Sequence, residues 1–146
     1  MEGQLMIGDI FQRILVADDG SPEGKRAVSL GLKLAAKLQA EVVLFGVFPP
    51  VIFSEARPSE DSSSRRRKME ERFGEFLTLG RSLDVEMTID IVEGWASNQI
   101  RKRAQADNVD LVIVGQTKFH RIRRWFFGST AEAVARENRC SVMVVR

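Results

Sequence analysis

Residues 12–22, Gln12-Arg13-Ile14-Leu15-Val16-Ala17-Asp18-Asp19-Gly20-Ser21-Pro22, decide the fold. The short apolar run up to Asp18 predicts a buried strand, and Asp18-Asp19-Gly20-Ser21-Pro22 predicts a tight loop after it. Ser21 followed by Pro22 has the form of a helix start, a hydroxyl cap followed by a residue whose φ is already helical. Ala27, Leu30, Leu34, Ala35 and Leu38 then recur at helical spacing and predict the helix's buried stripe. A second apolar run, Val42 to Phe48, is closed by Pro49-Pro50, which cannot continue a hydrogen-bonded ladder. Strand, helix and strand thus follow one another in fewer than 40 residues.

Reading onward, the prolines, acids and serines of about 50–64 predict a surface loop. From Arg65 to Leu83, Met69, Phe73, Phe76, Leu77, Leu79 and Leu83 place apolar groups on one helix face, and Arg65-Arg66-Arg67-Lys68 reads as its solvated start. Val85 to Val92 alternates, as a half-covered strand at a sheet edge does. After Glu93-Gly94 a helix carries the stripe Trp95, Ile100 and Ala104 beside Ala96, and it ends near Asp107-Asn108. Val109 to Val114 predicts another buried strand, polar only at Asp110. Gly128-Ser129-Thr130 opens a last helix containing Ala131, Val134 and Ala135, and Val142 to Val145 is a final strand. Five strands alternating with four helices imply parallel crossovers and a sheet covered on both faces.

The 146 residues fit one domain, with a core over about residues 10–146, and 44% apolar with 29% charged residues exclude a wholly disordered chain. One cysteine, Cys140, in an apolar run predicts a buried thiol, and one histidine, His120, leaves no set for a zinc site or a histidine-based triad. No metal ligands and no catalytic residues are expected. The start of the chain has neither a basic segment nor a long apolar one, and no apolar run reaches membrane-spanning length, so a cytoplasmic protein with no membrane partner is expected. With 22 Lys+Arg against 20 Asp+Glu, the charge balance gives no argument for nucleic acid.

In such sheets ligands sit beyond the carboxyl ends of the strands, where the loops Asp18 to Pro22 and Gly115 to Gly128 fall. Gly115 ends a strand and Gly128-Ser129 starts a helix, with Lys118, His120, Arg121, Arg123 and Arg124 between them. Backbone donors at that helix start, with the Ser129 hydroxyl, suit an anion. Asp19 suits the hydroxyls of a sugar or the edge of a base and repels phosphate. A nucleotide fits this polarity: base and sugar near Asp19 and Val47, phosphates near Gly115, Gly128 and Ser129. Each residue also has a plainer role. Asp19 would cap its turn, Gly115 would allow close helix packing, Ser129 would cap its helix, and Trp125-Phe126-Phe127 would pack inward or at a dimer surface.

Together, Ile14 to Pro22, Asp110-Leu-Val-Ile-Val-Gly115, Gly128-Ser129-Thr130-Ala-Glu-Ala-Val134 and Cys140-Ser-Val-Met-Val-Val145 resemble the universal stress protein family over about residues 10–146. The resemblance implies a Rossmann-like three-layer α/β/α sandwich of the adenine nucleotide alpha hydrolase type, a parallel sheet of order 3-2-1-4-5 and two helices on each side. It implies a stress-response regulatory protein binding ATP or AMP, with Mg²⁺ accompanying ATP, through Ala17, Asp19, Val47, Val114, Gly115, Gln116, Lys118, Gly128, Ser129, Thr130 and Ala131. The family's phosphate motif is Gly, two residues, Gly, nine residues, then Gly-Ser or Gly-Thr. Here the spacing is kept but the middle glycine is Lys118, which either fills the phosphate pocket or adds a charge to it. Ala131 departs from members carrying a hydroxyl there. The family and the apolar terminal strand both point to a homodimer through residues 141–145. A nucleotide-free dimeric adaptor remains the alternative. A weak ATPase would need a metal, for which Asp18 offers a carboxylate, and a water-activating acid that residues 116–127 lack.

Overall fold

The computed structural model describes residues 10–50, 61–116, 134–136 and 140–146. In chain order it forms β1 (Arg13–Asp18), α1 (Pro22–Leu38), β2 (Glu41–Phe48), α2 (Ser62–Ser82), β3 (Met87–Glu93), α3 (Ala96–Ala106), β4 (Leu111–Gly115) and β5 (Ser141–Val145). Residues 134–136 are helical. The strands make one five-stranded sheet of order β3-β2-β1-β4-β5, parallel at every pairing, as expected.

Alternation along each strand divides the core into two layers. Ile14 and Val16 of β1, Val42 and Leu44 of β2, and Leu111 and Ile113 of β4 pack beneath α1 and α2 with Val28, Leu32, Met69, Phe73 and Phe76. Leu15, Ala17, Val43, Phe45, Val47, Val112 and Val114 face the other way, against Ala96, Ile100, Ala104 and Val134. β1 lies in the middle of the sheet, and Ile14 to Ala17 are at most 1% exposed, so its carboxyl end is fixed in space by packing on both faces and pairing on both edges. The single polar interruption predicted in β4's approach has a use. Asp110 accepts hydrogen bonds from the backbone of Gln12 at 2.8 Å and of Arg13 at 3.1 Å, tying the start of β1 to that of β4.

Several expectations about faces change. α1 buries Gly24, Ala27, Val28, Gly31, Leu32 and Ala35, while Leu30 is 43% exposed. The stripe is centred on the small residues because α1 lies close to β1: a Cβ on Gly31 would stand 2.6 Å from Val16 Cγ2. Trp95 is the residue before α3 and is 38% exposed, so the stripe begins at Ala96. α2 starts at Ser62, capped by Asp61, whose side chain accepts from the Ser64 amide, and Arg65 lies over the Phe48 ring at 5.0 Å from its centroid instead of being freely solvated. Cys140 is half-buried instead of fully buried, and burial, followed by the nearby Asp110 carboxylate, raises its thiol above the ordinary range. Among the described residues no helix is long and apolar enough to cross a membrane.

Candidate functional site

β1 and β4 are neighbours, so Ala17 pairs with Val114 and the chain leaves both strands at the same end of the sheet. After β1 the backbone turns through Gly20, whose φ of 86° is the left-handed conformation that glycine adopts without a Cβ penalty. Ser21 caps α1 as its sequence promised, its hydroxyl accepting from the Gly24 amide at 3.0 Å, and Pro22 takes the first helical position.

Two adjacent acids on this turn have different environments. Asp18 is 0% exposed and points to the α1 and α2 side. Its two oxygens accept from Arg72 of α2, Oδ2 from Nε at 2.7 Å and Oδ1 from Nη2 at 3.0 Å, which is the forked geometry of a guanidinium on a carboxylate. The same Nη2 donates to the Ser21 carbonyl, and the guanidinium lies 5.4 Å from the centroid of the Phe76 ring. Asp18 is therefore occupied as an internal partner and is not available as the metal-binding carboxylate a hydrolytic reading required. Among the described residues no group of three or more His, Cys, Asp or Glu side chains is placed to hold a metal ion.

Asp19 differs. Its Oδ1 accepts from the Ser21 amide at 2.9 Å and from the Ser21 hydroxyl, which is the turn-capping role open to it from sequence. Its Oδ2 is buried and has no hydrogen-bond partner among the described residues. Burial raises the Asp19 carboxyl above its usual value; the Ser21 hydrogen bonds oppose this shift, and the Asp18 charge adds to it. A fixed acid with one oxygen held and the other free is suited to accepting from a hydroxyl or amine brought by a ligand.

At the β4 exit, Gly115 pairs with Val145 and the Gln116 amide donates to the Val145 carbonyl at 2.7 Å. A Cβ on Gly115 would lie 2.6 Å from the Glu23 carbonyl carbon and oxygen and 2.8 Å from the Gly24 nitrogen. Close packing against the first turn of α1 therefore accounts for this glycine without a ligand. Glu23 itself is buried, with Oε1 3.6 Å from Arg26 Nη2 and Oε2 lacking a partner among the described residues.

Of the predicted site residues, the structure brings Ala17, Asp19, Val114, Gly115 and Gln116 to the adjoining exits of β1 and β4. Val47 lies near the end of β2, two positions beyond Phe45, which pairs with Ala17. Ala17, Val47 and Val114 are packed in the α3-side core. Lys118, Gly128, Ser129, Thr130 and Ala131 lie outside the described residues, as do His120 and Trp125-Phe126-Phe127. Sequence reading missed Arg72 as a site neighbour. Its signal was present: Arg72 stands three residues after Met69 and four before Phe76, a cation inside an apolar helix stripe.

Relatives are found at the level of both sequence and fold. A universal stress protein of Methanocaldococcus jannaschii is 26% identical over 142 residues, covering 94% of this chain and 84% of that protein. A universal stress protein crystallised in complex with cAMP superposes with a TM-score of 0.69 at 20% identity, over 93% of this chain and 97% of the other. One from Archaeoglobus fulgidus in complex with dAMP gives 0.62 at 17% identity, over 94% and 99%. The sequence profile of the universal stress protein family matches residues 10–146, and the chain belongs to that family.

Proposed function

We propose that this protein binds an adenine nucleotide, ATP or AMP, at the carboxyl ends of β1 and β4, and that it acts as a stress-response regulator in the cytoplasm and not as an enzyme. The observation carrying this reading is Asp19, whose buried Oδ2 lacks a partner among the described residues while Oδ1 is held by Ser21. Burying a polar atom without a hydrogen bond costs about 1–3 kcal/mol, and a ribose hydroxyl or base amine would supply the missing donor. The relatives solved with cAMP and dAMP support the ligand class. In this reading Asp19 serves base and sugar, with Ala17, Val47 and Val114 beneath the base. Gly115, Gln116, Lys118, Gly128, Ser129, Thr130 and Ala131 serve the phosphates, with Mg²⁺ accompanying ATP.

Calorimetric titration with ATP, AMP and adenosine tests it. Asp19→Ala weakens all three, whereas Gly128→Val weakens ATP and AMP more than adenosine. Lys118→Gly loosens ATP more than AMP if the lysine lies over the phosphates; tighter ATP binding by that variant makes the lysine a plug. Equal affinities for wild type, Asp19→Ala and Gly128→Val place the ligand elsewhere.

One observation favours a second reading, a nucleotide-free adaptor: α1 packing alone accounts for Gly115. In either case we propose a homodimer through β5, which pairs with β4 on one side and leaves Val142 to Val145 half-exposed at the sheet edge. A monomer mass in solution scattering at micromolar concentration would contradict the dimer.

A further inference from the structure

We propose that Arg72 is a positioning residue for the nucleoside end of the site: by gripping both Asp18 and the Ser21 carbonyl, it fixes the turn on which Asp19 is presented. This inference rests on the reading that Asp19 receives base or sugar.

The connections form a short chain. Arg72 reaches from the middle of α2 to the end of β1, where it makes two hydrogen bonds to Asp18 and one to the carbonyl of Ser21. Ser21 in turn gives both its amide and its hydroxyl to Asp19 Oδ1 and accepts the Gly24 amide on that hydroxyl. Oδ1 is thereby held on one side of the carboxylate, and Oδ2, buried on the other, has no hydrogen-bond partner among the described residues. Without Arg72 the turn would keep the bonds from Ser21 to Asp19 and the bond from the Gly20 amide to Asp18 Oδ1 at 3.3 Å, but would lose its only described anchor to α2. A guanidinium suits this task because its planar fork can satisfy a carboxylate and a carbonyl together, whereas an ammonium on a flexible stem is a point charge without that fixed geometry.

The arrangement also ties together two parts of the chain that are distant in sequence. α2 rests on the α1-side layer through Met69, Phe73 and Phe76, while Asp19 belongs to the ligand turn.

Two variants test positioning apart from simple stability. Arg72→Lys keeps the positive charge beside Asp18 but cannot reproduce the three bonds. Asp18→Leu/Arg72→Met replaces the pair with apolar groups, leucine carrying the same branch at Cγ as aspartate, an exchange that commonly preserves or raises stability. The expected result is that the double variant melts no lower than wild type yet binds adenosine about tenfold more weakly, roughly the effect of losing one hydrogen bond to a charged group. In Arg72→Lys, the Asp19 carboxyl, followed by carbon NMR without any ligand, should titrate closer to an ordinary aspartate as its turn opens to water. Wild-type adenosine affinity in the folded double variant overturns the proposal. So does an unchanged Asp19 titration in Arg72→Lys. If wild type itself binds neither adenosine nor AMP, the nucleotide reading fails, and the ligand-free titration still decides whether Arg72 sets Asp19.

Discussion

The exits of β1 and β4 lie side by side, yet they are held in opposite ways. At β1 the chain is gripped by side chains: Arg72 on Asp18 and Ser21, and Ser21 on Asp19. At β4 it is held by the lack of one, since Gly115 lets the first turn of α1 approach to where a Cβ would stand 2.6 Å from the Glu23 carbonyl. The first arrangement offers a directed acceptor to a ligand. The second offers backbone and little else, and leads into residues 117–133, which carry the basic and glycine-serine parts of the sequence. Under the proposed nucleotide reading, this difference would put chemical selection at the β1 exit and leave the anion to the segment that follows the β4 exit.

The largest expected effect comes from breaking the grip at β1. Arg72→Met leaves Asp18, which is 0% exposed, without its cation. Removing one member of a buried ion pair costs about 3–5 kcal/mol, and because the Arg72 side chain is 22% exposed the lower end applies, about 3 kcal/mol in urea unfolding. A loss below about 1 kcal/mol, the range of exposed pairs, would show that the β1 exit does not depend on this contact.

The β4 exit should respond next, and for a steric reason only. Gly115→Ala drives a methyl against Glu23 and Gly24 backbone, which cannot rotate away as a side chain would, so a loss of about 2 kcal/mol is expected. This variant sharpens the comparison because it adds no charge and removes no hydrogen bond. A neutral outcome would mean that α1 can retreat from the sheet, and Gly115 would then need a ligand to explain it.

The two exits are also unequally legible in the sequence. The strand at 13–18, the Ser21-Pro22 helix start and the Pro49-Pro50 stop are local signals, and each matches the structure. The order 3-2-1-4-5 comes through family resemblance, because periodicity gives strands but not their neighbours. Leu30 joins the expected buried stripe on hydrophobicity alone, while the residues that face β1 include two glycines that a hydrophobicity count passes over. Asp19 is legible as the end of a buried strand beside a cap. Its neighbour is not: Asp18 looks available for a metal because its partner lies 54 residues away on another helix, a separation that no motif spans. Gly115 is legible as an exit glycine, but whether it faces a ligand or α1 depends on the direction of a missing Cβ, which only the packed backbone reveals.

The smallest effect, and the one of opposite sign, should come from Asp19→Asn. Burial raises the Asp19 carboxyl in the folded protein above its ordinary value of 3.8, so folding favours the protonated acid. The sign follows from proton counting. As pH rises from that ordinary value towards the raised one, the unfolded chain has released its proton while the folded chain keeps it, and stability falls; above the raised value the full penalty of the buried charge persists. Asparagine carries no such penalty. Its advantage over wild type should therefore be small at and below the ordinary value, grow as pH rises through that window and level off once pH has passed the raised value, remaining below the changes at Arg72 and Gly115. The asparagine side chain would also keep an oxygen for the Ser21 bonds and place an amide donor where Oδ2 now offers an acceptor. Adenosine binding should consequently weaken while the melting temperature at neutral pH rises, the opposite movement of the two that marks a residue kept for its ligand. A stability gain independent of pH would remove the buried charge as its cause, and a gain in adenosine affinity would mean that the free oxygen is not what the ligand meets.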